Sequence, residues 1–283
     1  NDRWAKCLDV MLEKKKNVRQ IHQMRIIVLF EADFNTALKL FFAKQMIKNS
    51  ELSDLTDEQW GGRPGRTAHS PALRKTLAFD YGRLMFITIA IFAHDAVANF
   101  DRMVPNISTL VVRQHHVEAN LMTCRNKVMA KTEHFVRTAH GDSRGSYKQE
   151  PNEPTMGGEG QGKGDVACIW NVESQTLLKA HKALHPGIHL NSVDRKRAIC
   201  KNNDAFVDDT DGVASKRRKT FHESERATRK ELQQSAQIWT DLINASGGAT
   251  AFHKNAWQLL AFEDNTFPPQ IKDTPTGDIF LKD

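Results

Sequence analysis

Ala205-Phe206-Val207-Asp208-Asp209 is the stretch on which the reading of this chain turns: a short apolar run that ends in two adjacent acids. Paired carboxylates at the mouth of a buried strand repel one another and lose solvation, which is costly. A divalent cation removes that cost. A third acid in a similar setting would complete a site for two magnesium ions. The run Leu84-Met85-Phe86-Ile87-Thr88-Ile89-Ala90-Ile91-Phe92-Ala93 offers one, leading into His94-Asp95 and then Ala96-Val97-Ala98-Asn99-Phe100-Asp101-Arg102. Two strands that each deliver carboxylate at one end form the arrangement that in-line phosphoryl or nucleotidyl transfer needs.

Composition sets the outer bounds. A chain of 283 residues can bury a sizeable core and suits one large domain or two small ones. Lys and Arg number 40 against 34 Asp and Glu, with a pI of about 9.1, a mild excess that fits a polyanionic partner and is equally common in ordinary soluble proteins. Cys7, Cys124, Cys168 and Cys200 lie far apart with no Cys-x-x-Cys pair, so they read as reduced thiols of a protein that is not secreted. No signal peptide is visible, and the longest apolar run is about ten residues, too short to span a bilayer. The start at Asn1 and the polar end Asp278-Ile279-Phe280-Leu281-Lys282-Asp283 suggest an excerpt from a longer polyprotein.

Outward from the two acids, periodicity outlines the rest. Ile26 to Phe30 reads as a strand, and the spacing of Phe34, Ala37, Leu38, Phe41, Phe42 and Met46 predicts a helix capped by Asp33 or Asn35. A Gly/Pro/Arg loop, Gly61-Gly62-Arg63-Pro64-Gly65-Arg66, precedes a helix over 71–81 and the strand that ends at Asp95. Residues 106–131 predict one or two helices and 134–138 a strand. Residues 141–164 read as a long loop ending in Gly157-Gly158-Glu159-Gly160-Gln161-Gly162-Lys163-Gly164. A helix through Ile169, Trp170, Leu177 and Leu184 stops at Pro186. After the acidic strand come the basic cluster Lys216-Arg217-Arg218-Lys219, a helix from Glu223 to Ala245 and a final hairpin over 252–262. The irregular alternation predicts an α+β fold with a mostly antiparallel central sheet, not a doubly wound one.

Four segments in a fixed order, with a fifth after them, carry a resemblance. Asp57-Glu58-Gln59-Trp60-Gly61-Gly62-Arg63-Pro64-Gly65-Arg66-Thr67-Ala68-His69 is similar to a fingers motif with the usual pattern Gln-x-Gly-Phe-Arg-Pro-x-Arg-Ser, with Gly62 where Phe is usual. Asp95 to Arg102 resembles a first palm motif, an Asp followed six positions on by the Asp of an aromatic-Asp-Arg triplet. Gly160-Gln161-Gly162 resembles a Gln-Gly loop, continued here by Lys163-Gly164-Asp165-Val166 where Ser-Pro often follows. Phe206-Val207-Asp208-Asp209 resembles an aromatic-x-Asp-Asp turn, and Ser246-Gly247-Gly248 with Lys254 a later palm motif that ends in lysine. Together they resemble reverse transcriptases, nearest to those of non-LTR retrotransposons and group II introns. Any one motif is weak; order and spacing supply the specificity.

The resemblance implies a right-hand polymerase fold: fingers over 1–83, palm over 84–140 and 141–262, and a tail over 263–283 where a thumb would begin, the thumb itself being largely missing. It implies RNA-directed DNA synthesis from dNTPs on an RNA template, with a DNA primer and product. Asp95, Asp208 and Asp209 would hold two Mg²⁺, or Mn²⁺, about 3.5–4 Å apart. Lys254 would donate a proton to the leaving pyrophosphate. Arg63 and Arg66 would clamp the triphosphate by bidentate contacts. Gln161 and Gly162 would lie under template or nucleotide, and Phe100 would exclude a ribose 2′-hydroxyl. Asp101 reads as structural.

Each role has a plainer alternative: Phe100 as a core aromatic, Arg63-Pro64 as an ordinary turn, the Gln161-Gly162 stretch as a linker, Lys254 as a surface lysine. Lys216, Arg217, Arg218 and Lys219 suit a nucleic-acid contact or a nuclear address, and equally a solvated loop. His181, His185 and His189 invite a zinc reading that Pro186 interrupts, and His115-His116 is no stronger. Two other functions stay open: an RNA-templated RNA polymerase, and an inactive retroelement remnant that only binds nucleic acid or protein. Localisation is expected to be nuclear or cytoplasmic, with no membrane partner.

Overall fold

The computed structural model describes residues 2–17, 20–53, 55–115, 117–150, 158–192 and 194–273. His116, Gly157 and the end of the tail, residues 274–283, lie outside them. In chain order the elements are β1 (Lys6–Glu13), β2 (Met24–Phe30), α1 (Ala32–Leu38), α2 (Ile47–Ser53), α3 (His69–Met85), β3 (Ile89–His94), α4 (Asn99–Arg102), α5 (Pro105–Gln114), α6 (Ala119–Ala130), β4 (Glu133–Thr138) and β5 (Gly141–Asp142). There follow α7 (Val166–Leu184), β6 (Ile188–Asn191), β7 (Ala198–Lys201), β8 (Asn203–Phe206), β9 (Asp209–Ala214), α8 (Phe221–Ala245), β10 (Ala256–Phe262) and β11 (Ile271–Lys272). No helix among the described residues is long and apolar enough to cross a membrane.

Two compact units interleave along the chain: residues 1–55 with 100–173, and 56–99 with 174–283. The segment boundaries drawn from the sequence after residues 83, 140 and 262 therefore each fall inside a unit. The second unit is built on a five-stranded sheet of order β11-β10-β3-β9-β8 in which every pair is antiparallel. Successive β3 side chains point to opposite faces. Ile89 and Ile91 join Val213, Leu260, Phe262 and Phe79 of α3 in one apolar cluster. His94, on the face of Ala90 and Phe92, meets Trp239 of α8 edge-on at 6.3 Å between ring centroids. Burial on both faces explains why β3 reads as an unbroken apolar run.

That run is not all strand. Leu84 and Met85 finish α3, Phe86 turns left-handed at φ 50°, and the Ile87 N–H donates to the Gly82 carbonyl at 2.9 Å before β3 begins at Ile89. An apolar stretch cannot by itself separate the end of a helix from the start of a strand. The expected terminal hairpin is likewise redistributed: Phe252–Lys254 is a single 3₁₀ turn, and β10 pairs with β3 and β11. A short β6–β7 hairpin follows Pro186. His181 Nδ1 lies 3.0 Å from Asn202 Oδ1 and its Nε2 lies 3.0 Å from the Ser235 carbonyl and 3.2 Å from the Ser235 hydroxyl, and His185 faces Glu231 at 3.2 Å. Both histidines are thereby engaged in packing contacts.

The first unit holds a sheet of order β2-β1-β4-β5 with β1 and β4 parallel. Phe34, Leu38, Phe42 and Met46 are buried, on the helical spacing read from the sequence, although Lys39–Met46 is wound as a wider π-type turn. Within the Gln-Gly loop the chain is pinned by charge. Arg125 of α6 donates Nε to Asp165 Oδ2 at 2.7 Å and Nη2 to Glu159, which also takes the Lys163 ammonium. All four side chains are buried. Lys163 and Asp165, the residues that depart from the usual Ser-Pro pattern, thus serve as loop anchors. Lys163 and Arg125 hold Glu159 well below the usual carboxylate range against the opposing effect of burial.

Glu173 shows the reverse. Burial, aided by Glu159, pushes its carboxyl from 4.5 up to about 7, against the pull of the Ser108 hydroxyl, which donates to it at 2.9 Å. The folded chain keeps this proton where the unfolded chain has lost it, so stability falls as pH rises from about 4.5 to about 7 and is level above. The cost at pH 8 is at most roughly 3 kcal/mol. Glu173→Gln is expected to stabilise the chain at pH 8 and hardly at pH 5, measured by urea unfolding at both. An equal gain at the two pH values would contradict the assignment.

Candidate active site

β8 and β9 form a tight hairpin. Phe206 pairs with Asp209, so Val207 and Asp208 are its two turn residues. Val207 is left-handed at φ 61°, an uncommon conformation for a β-branched residue and a source of local strain. A buried side chain supports it. Gln59, fully buried, donates its amide to Ser174 Oγ at 2.9 Å and to the Val207 carbonyl at 3.2 Å. Its carbonyl accepts the N–H groups of Gly61 at 3.0 Å and Val207 at 3.1 Å. Around it the backbone of Glu58 to Trp60 runs beside β8: the Ala205 N–H donates to the Glu58 carbonyl at 2.7 Å and the Trp60 N–H to the Ala205 carbonyl at 2.8 Å. The loop quoted as a fingers motif therefore docks on the acidic turn.

Asp95 follows directly on β3, whose last pair sets His94 opposite Thr210 of β9, next to Asp209. Its N–H donates to Asn255 Oδ1 at 3.2 Å, and its carbonyl accepts from Ala251 at 2.8 Å. Its carboxylate is ion-paired with Lys254. The second unit thus brings Asp95, Asp208, Asp209 and Lys254 together at one end of the sheet. Burial first, then the charges of Asp208, Asp95 and Asp211, push Asp209 upward; Lys254 alone pulls it down. Burial also holds His94 down at about 4, against the pull of Asp95, so the imidazole is neutral near pH 7 and adds no positive charge. Crowded carboxylates with one lysine between them are a donor set that a hard divalent cation fits. The three acids are neighbours, not a closed cage: their ligand oxygens do not all lie within 4.8 Å of one another, as those of only one other set among the described residues do.

The remaining expected residues fall elsewhere. Arg63 is 5 % exposed and donates Nη1 to the carbonyls of Thr56 at 2.5 Å and Gln59 at 2.8 Å. It braces its own loop and is not presented as a phosphate clamp. Arg66 is partly exposed, donating Nη2 to Asp57 at 2.8 Å with its guanidinium 4.8 Å from the centre of the Trp60 ring. Lys216, Arg217, Arg218 and Lys219 are exposed between β9 and α8, and the last three line a cavity of about 500 Å³ with Asp264.

Phe100, Gln161 and Gly162 belong to the first unit. The Phe100 carbonyl accepts from Glu159 N–H at 2.7 Å. The close approach that Gly162 permits, at φ 113°, is to Val28 of β2, whose N–H donates to the Gln161 carbonyl at 2.7 Å. Asp101 is exposed and accepts from the Gln161 backbone. Gln59 and Gly61 were visible inside the quoted motif, but only the contact with Val207 shows what they hold.

No protein-family model and no curated protein matches the chain. Solved structures do. Telomerase from Candida tropicalis in complex with the TWJ fragment of telomeric RNA superposes with a TM-score of 0.58 at 11 % identity, over 91 % of this chain and 41 % of that one. Telomerase from Candida albicans with the same kind of RNA fragment gives 0.54 at 11 % identity, over 94 % and 43 %. Apo telomerase from Candida tropicalis truncated from its C-terminal domain gives 0.55 at 13 %, over 95 % and 55 %. The chain shares its fold with these telomerase structures. At these identities the likeness is one of fold, and the chain spans between about two fifths and just over half of those telomerase chains. The likeness does not select the non-LTR or group II type.

Proposed function

We propose that the chain is the catalytic portion of a retroelement RNA-directed DNA polymerase, adding dNTPs to a primer 3′-end on an RNA template. The observation that carries this reading is the meeting of Asp95 with Asp208 and Asp209 on adjacent strand ends of an antiparallel sheet. These acids would hold Mg²⁺ or Mn²⁺, which when bound activates the primer hydroxyl and neutralises charge on the triphosphate. The protein's own contribution is placement. Gln59 fixes the turn, Asn255 orients Asp95 through its backbone, and Lys254 keeps a positive charge at Asp95. Arg66, partly exposed and paired with Asp57, is the arginine of this loop that suits a phosphate. RNA-containing telomerase complexes among the similar structures support a nucleic-acid partner. Residence in nucleus or cytoplasm and membership of a longer polyprotein belong to the same proposal.

Primer extension on an RNA template with Mg²⁺ tests it. Extension with dNTPs and not with rNTPs is expected. Extension with rNTPs alone would favour the RNA-polymerase reading. RNA binding without any extension would favour an inactive remnant.

A further inference from the structure

Cys7 and Asp9 lie two residues apart on β1, which places both side chains on one face of the strand. The parallel register sets Cys7 opposite His134 of β4. Cys7 Sγ is 3.1 Å from His134 Nδ1, that nitrogen is 3.1 and 3.3 Å from the two Asp9 oxygens, and Sγ is 3.9 Å from Asp9 Oδ1. Cys7 and Asp9 are 4 % and 2 % exposed. Sulfur, nitrogen and carboxylate oxygen, three atoms of the kinds that bind transition ions, thus lie within 4.8 Å of one another on two neighbouring strands.

Around a tetrahedral zinc ion, bonds of about 2.3 Å to sulfur and about 2.0–2.2 Å to nitrogen and oxygen put the donors about 3.4–3.6 Å apart. With Asp9 Oδ1 as the ligand oxygen, the separations of 3.1, 3.3 and 3.9 Å lie within about half an ångström of that spacing. We infer that Cys7, Asp9 and His134 bind one zinc-class transition ion, with Tyr147 as a positioning residue behind Asp9. The Tyr147 hydroxyl donates to Asp9 Oδ2, and its ring stacks on His134 at 4.9 Å between centroids, the outer support that metal ligands need. Thiolate with imidazole selects Zn²⁺ or Co²⁺ over Mg²⁺, so this site is chemically distinct from the three acids of the other unit. A cavity of about 430 Å³, lined by Asp9, His134, Tyr147, Asp101 and Asn106, leaves a fourth position for water or a small ligand. Binding transfers the thiol proton to solvent.

The test is Co²⁺ titration of the full chain after treatment with chelator. A stoichiometric thiolate-to-cobalt charge-transfer band, bleached by Zn²⁺ and not by Mg²⁺, is expected. Cys7→Ser should lose the band, His134→Ala should lose tight binding, and Tyr147→Phe should weaken it about tenfold or more. Asp208→Asn should keep the band, which separates this site from the acidic turn. Circular dichroism in chelator verifies that each variant is folded. Absence of the band in the folded wild-type chain, or its survival in Cys7→Ser, would overturn the assignment.

Discussion

Asp208→Asn is expected to lower single-turnover primer extension by about 10³-fold or more, while RNA binding and thermal stability stay near those of the parent chain. The substitution keeps size and shape but removes one charge from the group that repels Asp209. A metal site contributes several kcal/mol of charge stabilisation, and about 4 kcal/mol corresponds to about 10³ in rate. The same deletion relieves repulsion within the turn, so the melting temperature should hold or rise. Extension rate, RNA affinity and melting temperature measured on one preparation separate chemistry from folding. A variant that extends primers at the parental rate would remove Asp208 from the chemistry and with it the proposed mechanism.

The second large effect is expected at a residue with no chemistry of its own. A Cβ at Gly61 would come within 3.0 Å of the Phe206 carbonyl carbon and closer still to the Val207 nitrogen, both backbone atoms that cannot swing aside. Gly61→Ala must therefore push the loop off the hairpin or displace the turn, with Gln59 losing its hold on Val207. Overpacking of this kind costs about 1–3 kcal/mol. Displacing a reacting group by about 1 Å costs about 10²-fold in rate. The expected pattern is a loss of extension rate well beyond the loss of stability, with RNA affinity little changed. Urea unfolding beside extension kinetics checks it; an active Gly61→Ala chain would show that the loop does not position the acids.

Much of this site could be read without coordinates, for identifiable reasons. The acids at 95, 208 and 209 stand out because apolar runs ending in carboxylate are costly, and that cost is local to the sequence. Helices such as α7 and α8 declare themselves through 3.6-residue spacing, whereas the Thr220 cap, which accepts from the Glu223 N–H at 3.1 Å and starts α8 at Phe221, came only with the structure. β1 does not, because its inward positions include Asp9, a buried acid that breaks the apolar alternation on which strand reading depends. β6 and β7 are four residues each, too short for a period to register. Arg63 was legible as an arginine in a meaningful loop, yet only the folded chain shows its guanidinium buried against the Thr56 and Gln59 carbonyls.

By itself, the order of residues determined which groups could do chemistry: three acids after short apolar runs, a lysine after a glycine pair, arginines in a tight loop. Local pattern and local electrostatics suffice for that. Only the tertiary structure decided what each group serves. Gln59 and Val207 are 148 residues apart, Cys7 and His134 are 127, and Asp95 and Lys254 are 159. A polar side chain takes its role from the partner that satisfies it in the folded chain, and no local periodicity records a partner at that distance.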